Sequence, residues 1–273
     1  MVLAGNCSWK FRIRIEGVKL VRLDSCRKEF MQFTVDLHTH TLASGHAYST
    51  IQENVRHASE IGMKLVAVTD HGVTVQGGPN ILYFHNLKVI PRVMYDVEVL
   101  RGVEANIMDY DGNLDIEEKW LKKLDVVIAS YHEICIAPST RQEHTRGLLA
   151  VMDNDYVDII GHSGNPLFEI DIEQFVAKAK QKNKLIEINN SSLYTSRKGS
   201  ESNCLAIARE AARQGARIIM GSDAHISFDV GNLAKAYELV QKAGISDDLI
   251  MNTPEKIKAF LFEKGKALDL RKA

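Results

Sequence analysis

Seven short runs rich in Val, Ile and Leu recur along the chain, near residues 33–38, 64–69, 98–103, 126–131, 157–161, 184–189 and 216–221, and helix-like segments separate them. Runs of this kind, apolar at consecutive positions rather than alternate ones, suit parallel strands buried on both faces. The intervening helical segments fall near 50–62, 142–153, 171–182, 200–214 and 231–243, and a last one near 254–263 starts on Thr253-Pro254, a capping hydroxyl before a proline. Repeated strand–helix units leave two architectures open, a closed α/β barrel or an open doubly wound sheet. Both build their sites at the C-terminal ends of the strands.

Six of those strand ends carry a histidine or a carboxylate. They read Asp36-Leu37-His38-Thr39-His40, Thr69-Asp70-His71-Gly72, Gly102-Val103-Glu104, Tyr131-His132-Glu133, Gly161-His162-Ser163 and Gly221-Ser222-Asp223-Ala224-His225, and His46 follows the first in its loop. Any one of them is ordinary. Together, on one edge, seven imidazoles and two carboxylates exceed what a single tetrahedral cation uses and point to a multinuclear site for zinc, manganese or iron. If the first strand persists, alternation puts Asp36, His38 and His40 on one face. Asp36 and Asp70 are the acids nearest the imidazoles in sequence and are candidate acceptors for their second ring N–H.

The 273 residues are 45% hydrophobic, enough for a buried core, and 34 Lys and Arg against 35 Asp and Glu leave a net charge of −1. That balance gives no basic field for a polynucleotide or an anionic membrane. Four scattered cysteines form no C-x-x-C pair, and no apolar run reaches eighteen residues, so the chain reads as cytoplasmic with no membrane partner. Residues 1–30 read as a poorly ordered N-terminal extension, with Met31 immediately before the first convincing strand, and 31–273 as the functional domain. Gly161-His162-Ser163-Gly164 lacks the last glycine of a nucleophile elbow, which leaves Ser163 a poor nucleophile. His57 and His144 fall within helices as packing or surface residues, and His85 lies in a loop after the second strand.

The strand-end residues together resemble the motif set of the polymerase and histidinol phosphatase (PHP) superfamily over about residues 33–262. Ala43-Ser44-Gly45-His46-Ala47-Tyr48, Gly164-Asn165-Pro166 and Glu187-Ile188-Asn189-Asn190-Ser191-Ser192 look like its YcdX-type zinc phosphatase branch. The resemblance implies a distorted (β/α)7 TIM-like barrel with three divalent cations at its C-terminal mouth. It implies that His38, His40, Glu104 and Asp223 hold one, that Glu104, His132 and His162 hold another, and that His46, His71 and His225 hold the third.

On this reading Glu104 bridges two cations and, with Asp223, serves catalysis by a metal-bridging hydroxide on a small phosphorylated metabolite. Arg197, in the loop after the sixth strand, is the expected phosphate contact, and Asn190 and Ser191 are further substrate contacts. A phosphodiesterase or exonuclease, a histidinol phosphatase, a C–N hydrolase on a related metal barrel and a non-catalytic metal-binding module are the alternatives. The charge balance argues against nucleic acid; oligomeric state is not readable from the sequence, and because relatives in the superfamily are often oligomeric the resemblance leaves a homo-oligomer open.

Overall fold

A computed structural model describes residues 33–266. The extension expected at 1–30 lies outside the described residues. The strands are β1 (Val35–Asp36), β2 (Leu65–Val68), β3 (Val93–Met94), β4 (Val97–Asn106), β5 (Val126–Ser130), β6 (Ile159–Ile160), β7 (Leu185–Asn189) and β8 (Ile218–Gly221). The helices are α1 (Ile51–Glu60), α2 (Ile81–Asn86), α3 (Glu118–Leu121), α4 (Arg141–Val151), α5 (Ile172–Gln181), α6 (Ser200–Gln214), α7 (Ala234–Ala243) and α8 (Pro254–Glu263). All seven predicted strands and all six predicted helices are present. The short β3, α2 and α3 have no counterpart in the sequence reading. The β3–β4 turn puts Tyr95 and Asp96 at positive φ without a glycine, so the usual hairpin signature is missing.

Seven strands pair in parallel in the order β1-β2-β4-β5-β6-β7-β8, with β3 antiparallel on β4. The decision between open sheet and barrel rests on the seam from β8 back to β1. At the mouth, Asp223 N donates to His38 O at 2.9 Å and His40 N to Ala224 O at 2.8 Å. At the opposite end the buried Asn252 fills the gap, its Oδ1 accepting from Met220 N at 2.8 Å while Nδ2 donates to Val35 O and Met220 O at 2.9 and 2.7 Å. The result is a nearly closed, distorted (β/α)7 barrel. Thr253 caps α8 by accepting from Lys256 N, and Ile257, Phe260 and Leu261 of that helix pack with Leu65, Leu100, Ile128 and Leu185 inside the barrel, plugging it from below. The outward residues of the strands, such as Val66, Val99, Val127 and Ile186, form a second core with the surrounding helices. With one end filled by apolar side chains, only the C-terminal end is left to carry polar ones.

No helix among the described residues is long and apolar enough to cross a membrane.

Asn252→Ala should leave buried Met220 N and Val35 O without partners at the seam, a loss of about 2–4 kcal/mol of stability. Urea unfolding measures it, and a loss below about 1 kcal/mol would return closure to the mouth contacts alone.

Candidate metal centre at the barrel mouth

Glu104 projects from the C-terminal part of β4 into the barrel and is fully buried. An isolated carboxylate there would cost several kcal/mol in lost hydration, and imidazoles surround it. His38 Nε2 and His40 Nε2 lie 3.3 and 3.5 Å from its Oε2, and the same two atoms lie 3.5 and 3.2 Å from Asp223 Oδ1. His132 Nε2 and His162 Nε2 lie 3.3 and 2.8 Å from the other oxygen, Oε1. His71 Nδ1 lies 2.8 Å from Oε2. His46 Nε2 and His225 Nε2 face each other at 3.0 Å, while their Nδ1 atoms lie 3.0 Å from the carbonyls of Ser44 and Asp223 respectively. All nine residues singled out for metal binding are thus brought to one place; His71 directs Nδ1 at Glu104, its ring lies 5.0 Å from that of His46, and ligand atoms of His71, His225 and His40 lie within 4.8 Å of one another.

The donor set tests whether cations suit it. Six of the thirteen buried side-chain atoms that lack a hydrogen-bond partner among the described residues belong to this set: His38 Nε2, His40 Nε2, His71 Nδ1, Glu104 Oε2, His132 Nε2 and Asp223 Oδ1. With Nδ1–H given to carbonyls, His46 and His225 also point two nitrogen lone pairs at each other. Buried polar atoms are rarely left this way, and a cation satisfies several at once. Burial alone would raise the Glu104 carboxyl, but His38, His132 and His71 outweigh it and hold Glu104 well below the usual carboxylate range. Asp223 is held well below its ordinary value in the same manner, by His38 and Arg197 against burial. Burial pushes His162 down to about 4 and His40 well below its ordinary value. His38 goes the other way, since Glu187, Glu104 and Asp223 together overcome burial and draw positive charge to it. Ionised carboxylates and neutral imidazoles are the forms that ligate metals, so a cation taken up at His38 displaces a proton.

The supports of this cluster differ from those expected. Asp36 does not reach an imidazole; β1 ends there, the alternation breaks, and its carboxylate accepts from the backbone N–H of Ser222 and Gly231 at 3.2 and 2.8 Å. Asp70 accepts from Thr41 N, Thr41 Oγ1, Ser44 Oγ and Tyr83 Oη, so it acts on the first loop, with Ser44 Oγ 3.1 Å from His40 Nδ1. The carboxylate that does meet an imidazole is Glu187 of β7, its Oε1 2.6 Å from His38 Nδ1 and its Oε2 accepting from His162 N at 2.8 Å. Inward alternation in β7 was the available signal. Room for this side chain comes from Gly221, where a Cβ would collide with Glu187 Oε1. Asn106, at the end of β4, places Oδ1 2.7 Å from His132 Nδ1. His162, Asp223 and Arg197 all adopt positive φ, strain of a kind that collects at working sites.

Of the expected substrate contacts, Arg197 reaches the site. Its Nη1 donates to Asp223 Oδ2 at 2.9 Å and to Ser192 and Ser196 Oγ, which leaves Nη2 and Nε as further donors. Asn190 does not. It is fully buried, and its Oδ1 accepts from Ala236 N at the start of α7. Ser191 is turned into its own loop, its Oγ meeting Thr195 Oγ1 and Ser196 Oγ. Ser163 lines a separate cavity with Arg141 and Glu169. His144 packs on Phe168 and accepts from Ser139 N, and His57 packs on Phe228.

A cavity of about 500 Å³ opens beside the cluster, lined by His132, Glu133, Ile134, Pro166, Leu167, Arg197 and Lys198 among others. A larger one, about 770 Å³, lies around α2 and touches none of the nine residues; His85 lines it rather than the cluster.

The PHP domain family model matches residues 36–193. The chain is 52% identical over 235 residues to a protein named a probable phosphatase from Acetivibrio thermocellus, covering 86% of this chain and 97% of that one. It is 51% identical over 241 residues to another so named from Clostridium novyi, covering 88% and 99%. Among solved structures, the histidinol phosphate phosphatase of Lactococcus lactis, determined with zinc, L-histidinol and phosphate, superposes with a TM-score of 0.54 at 17% identity, over 78% of this chain and 95% of that one. The chain belongs to the PHP domain family.

Gly221→Ala should displace Glu187 and tilt His38, lowering bound zinc while the fold persists. Zinc content by elemental analysis, set against circular dichroism, checks this; unchanged zinc would show that Glu187 is not needed to seat His38.

Proposed function

We propose that the protein is a metal-dependent phosphomonoesterase acting on a small phosphorylated metabolite. The observation that carries the reading is a cluster of six unpartnered buried donor atoms, Glu104 Oε2 among them, next to an arginine and a cavity of about 500 Å³. The phosphatase names of relatives half identical over nearly their full length support it. His38, His40, Glu104 and Asp223 would hold one divalent cation, Glu104, His132 and His162 a second, and His46, His71 and His225 a third. Zinc suits this nitrogen-rich set, and manganese and iron are the alternatives. Bound there, such cations supply an attacking water of lowered pKa and offset charge on the phosphoryl oxygens.

The chain's own residues supply the rest. Glu104, with Oε2 beside His38 and His40 and Oε1 beside His132 and His162, would offer one oxygen to each of the first two positions, so that one negative charge would serve both. Arg197 ties down Asp223 Oδ2 and so keeps Oδ1 aimed at His38 and His40. Its remaining donors match the geometry of a phosphate and fix the ester in line for displacement. The cavity beyond His132 and Arg197, with Ile134, Pro166 and Leu167 on its wall, accepts a compact leaving group and excludes water around it. Its size and the net charge of −1 favour a small monoester over a polynucleotide. Its place in the cytoplasm and a homo-oligomeric state belong to the same reading.

An aryl phosphomonoester assayed beside the matching diester, before and after chelation and zinc restoration, is the direct test. Turnover of the monoester that chelation abolishes and zinc restores is expected, whereas preference for the diester would replace this reading with a phosphodiesterase. Glu104→Gln should cost at least about a hundredfold in kcat together with metal content; full activity with full metal would remove Glu104 from the bridging position. Arg197→Ala should raise KM for the monoester about tenfold, as expected for loss of one charged hydrogen bond, with most of the metal retained. An unaltered KM would leave Arg197 only its contact with Asp223.

A further inference from the structure

We propose that Asp115, acting through Asn106, sets which nitrogen of His132 carries the proton and thereby whether His132 can ligate. The inference rests on the metal-centre reading above. Asp115 is a positioning residue in this scheme; it follows the short hairpin bridge between Ile107 and Leu114 and touches none of the nine clustered side chains directly.

Three donors converge on its carboxylate. Asn106 N donates to Oδ1 at 2.9 Å, and Asn106 Nδ2 and Thr74 N donate to Oδ2 at 2.6 and 3.0 Å. A carboxylate only accepts, so the amide of the fully buried Asn106 must turn its NH2 toward Asp115 and its oxygen the other way. That oxygen, Oδ1, lies 2.7 Å from His132 Nδ1. An amide oxygen also only accepts. Nδ1 must therefore carry the hydrogen, and Nε2 presents its lone pair to the cluster, where it lies 3.3 Å from Glu104 Oε1 without a hydrogen-bond partner. An acceptor-only group at one end thus dictates the tautomer at the other, two hydrogen bonds away. The amide between them has no preference of its own.

The same carboxylate clamps the loop that follows His71, through Thr74 N and by close contact with Gly72, where a Cβ would strike Asp115. A loss of function at position 115 alone would not separate the two roles, but moving the carboxylate one step along the relay does. In D115A Asn106 Nδ2 has no acceptor, so the amide is free to turn over and no longer obliges His132 Nδ1 to carry the hydrogen. In D115A/N106D the carboxylate sits at 106, accepts from His132 Nδ1, and restores the tautomer without restoring the bond to Thr74 N.

The test uses the full chain. Long-range proton–nitrogen spectra of 15N-labelled, metal-free protein report the His132 tautomer, and zinc titration against a chromophoric chelator reports affinity. We expect D115A to move His132 toward the Nε2–H form and to weaken one zinc position at least tenfold, the scale of outer-shell losses at metal sites. D115A/N106D should return both readouts to near those of the parent. Retention of the Nδ1–H tautomer and of zinc affinity in D115A would overturn the proposal, and so would a loss that the double variant fails to recover, which would assign Asp115 to the loop after His71. Neither readout involves an ester, so a protein that hydrolysed none would contradict the proposed function and leave this inference standing or falling by itself.

Discussion

The buried carboxylate of Glu104 is the constraint around which the barrel mouth is arranged. Charge at full burial persists only where opposite charge or directed hydrogen bonds replace water. Five imidazole nitrogens, from His38, His40, His71, His132 and His162, lie within 3.5 Å of its two oxygens. They come from the ends of β1, β2, β5 and β6 and their loops, so this one side chain ties most of the barrel rim together. The need to present them accounts for the positive φ of His162 and Asp223, for the glycine at 221, and for the Asp36 brace on the Ser222 and Gly231 backbone.

Around that centre lies a ring of acceptors that fixes the imidazoles. Glu187 meets His38 Nδ1, Asn106 meets His132 Nδ1, Ser44 O meets His46 Nδ1 and Asp223 O meets His225 Nδ1. In each case the nitrogen away from the acceptor faces the cluster, a uniformity expected of ligands whose tautomer has to be held. Arg197 belongs to the same arrangement from above. It immobilises one oxygen of Asp223, leaves the other free, and retains further donors at Nη2 and Nε. Membership of the PHP domain family and the phosphatase names of close relatives fit a site of this construction.

The opposite end of the barrel explains why the chemistry has one location. Phe260, Ile257 and Leu261 seal the lower mouth, and Asn252 completes the seam that the short β1 and β8 leave open. A barrel plugged with apolar side chains at one end has a single face on which polar groups can converge.

Much of this was legible in the chain itself. Consecutive apolar runs and capped helical segments marked all seven parallel strands and the six longer helices, because strand burial and helix caps are local properties of sequence. The ligand candidates were legible for a related reason: each stands at a strand end, and strand ends share an edge in any parallel α/β fold. Tertiary structure alone decided what those residues touch. His38 and Glu187 are 149 positions apart, and Asp36 and Gly231 are 195 apart. No spacing rule joins such pairs, so the nearby acids Asp36 and Asp70 looked like the partners of the imidazoles and proved to hold backbone and loop. Asn190 was drawn inward to cap α7, a competition for its amide that only packing resolves. Local sequence specifies which elements form and what their ends carry; closure of the barrel specifies which of those ends meet, because the contacts that close it are made between residues with no local relation to each other.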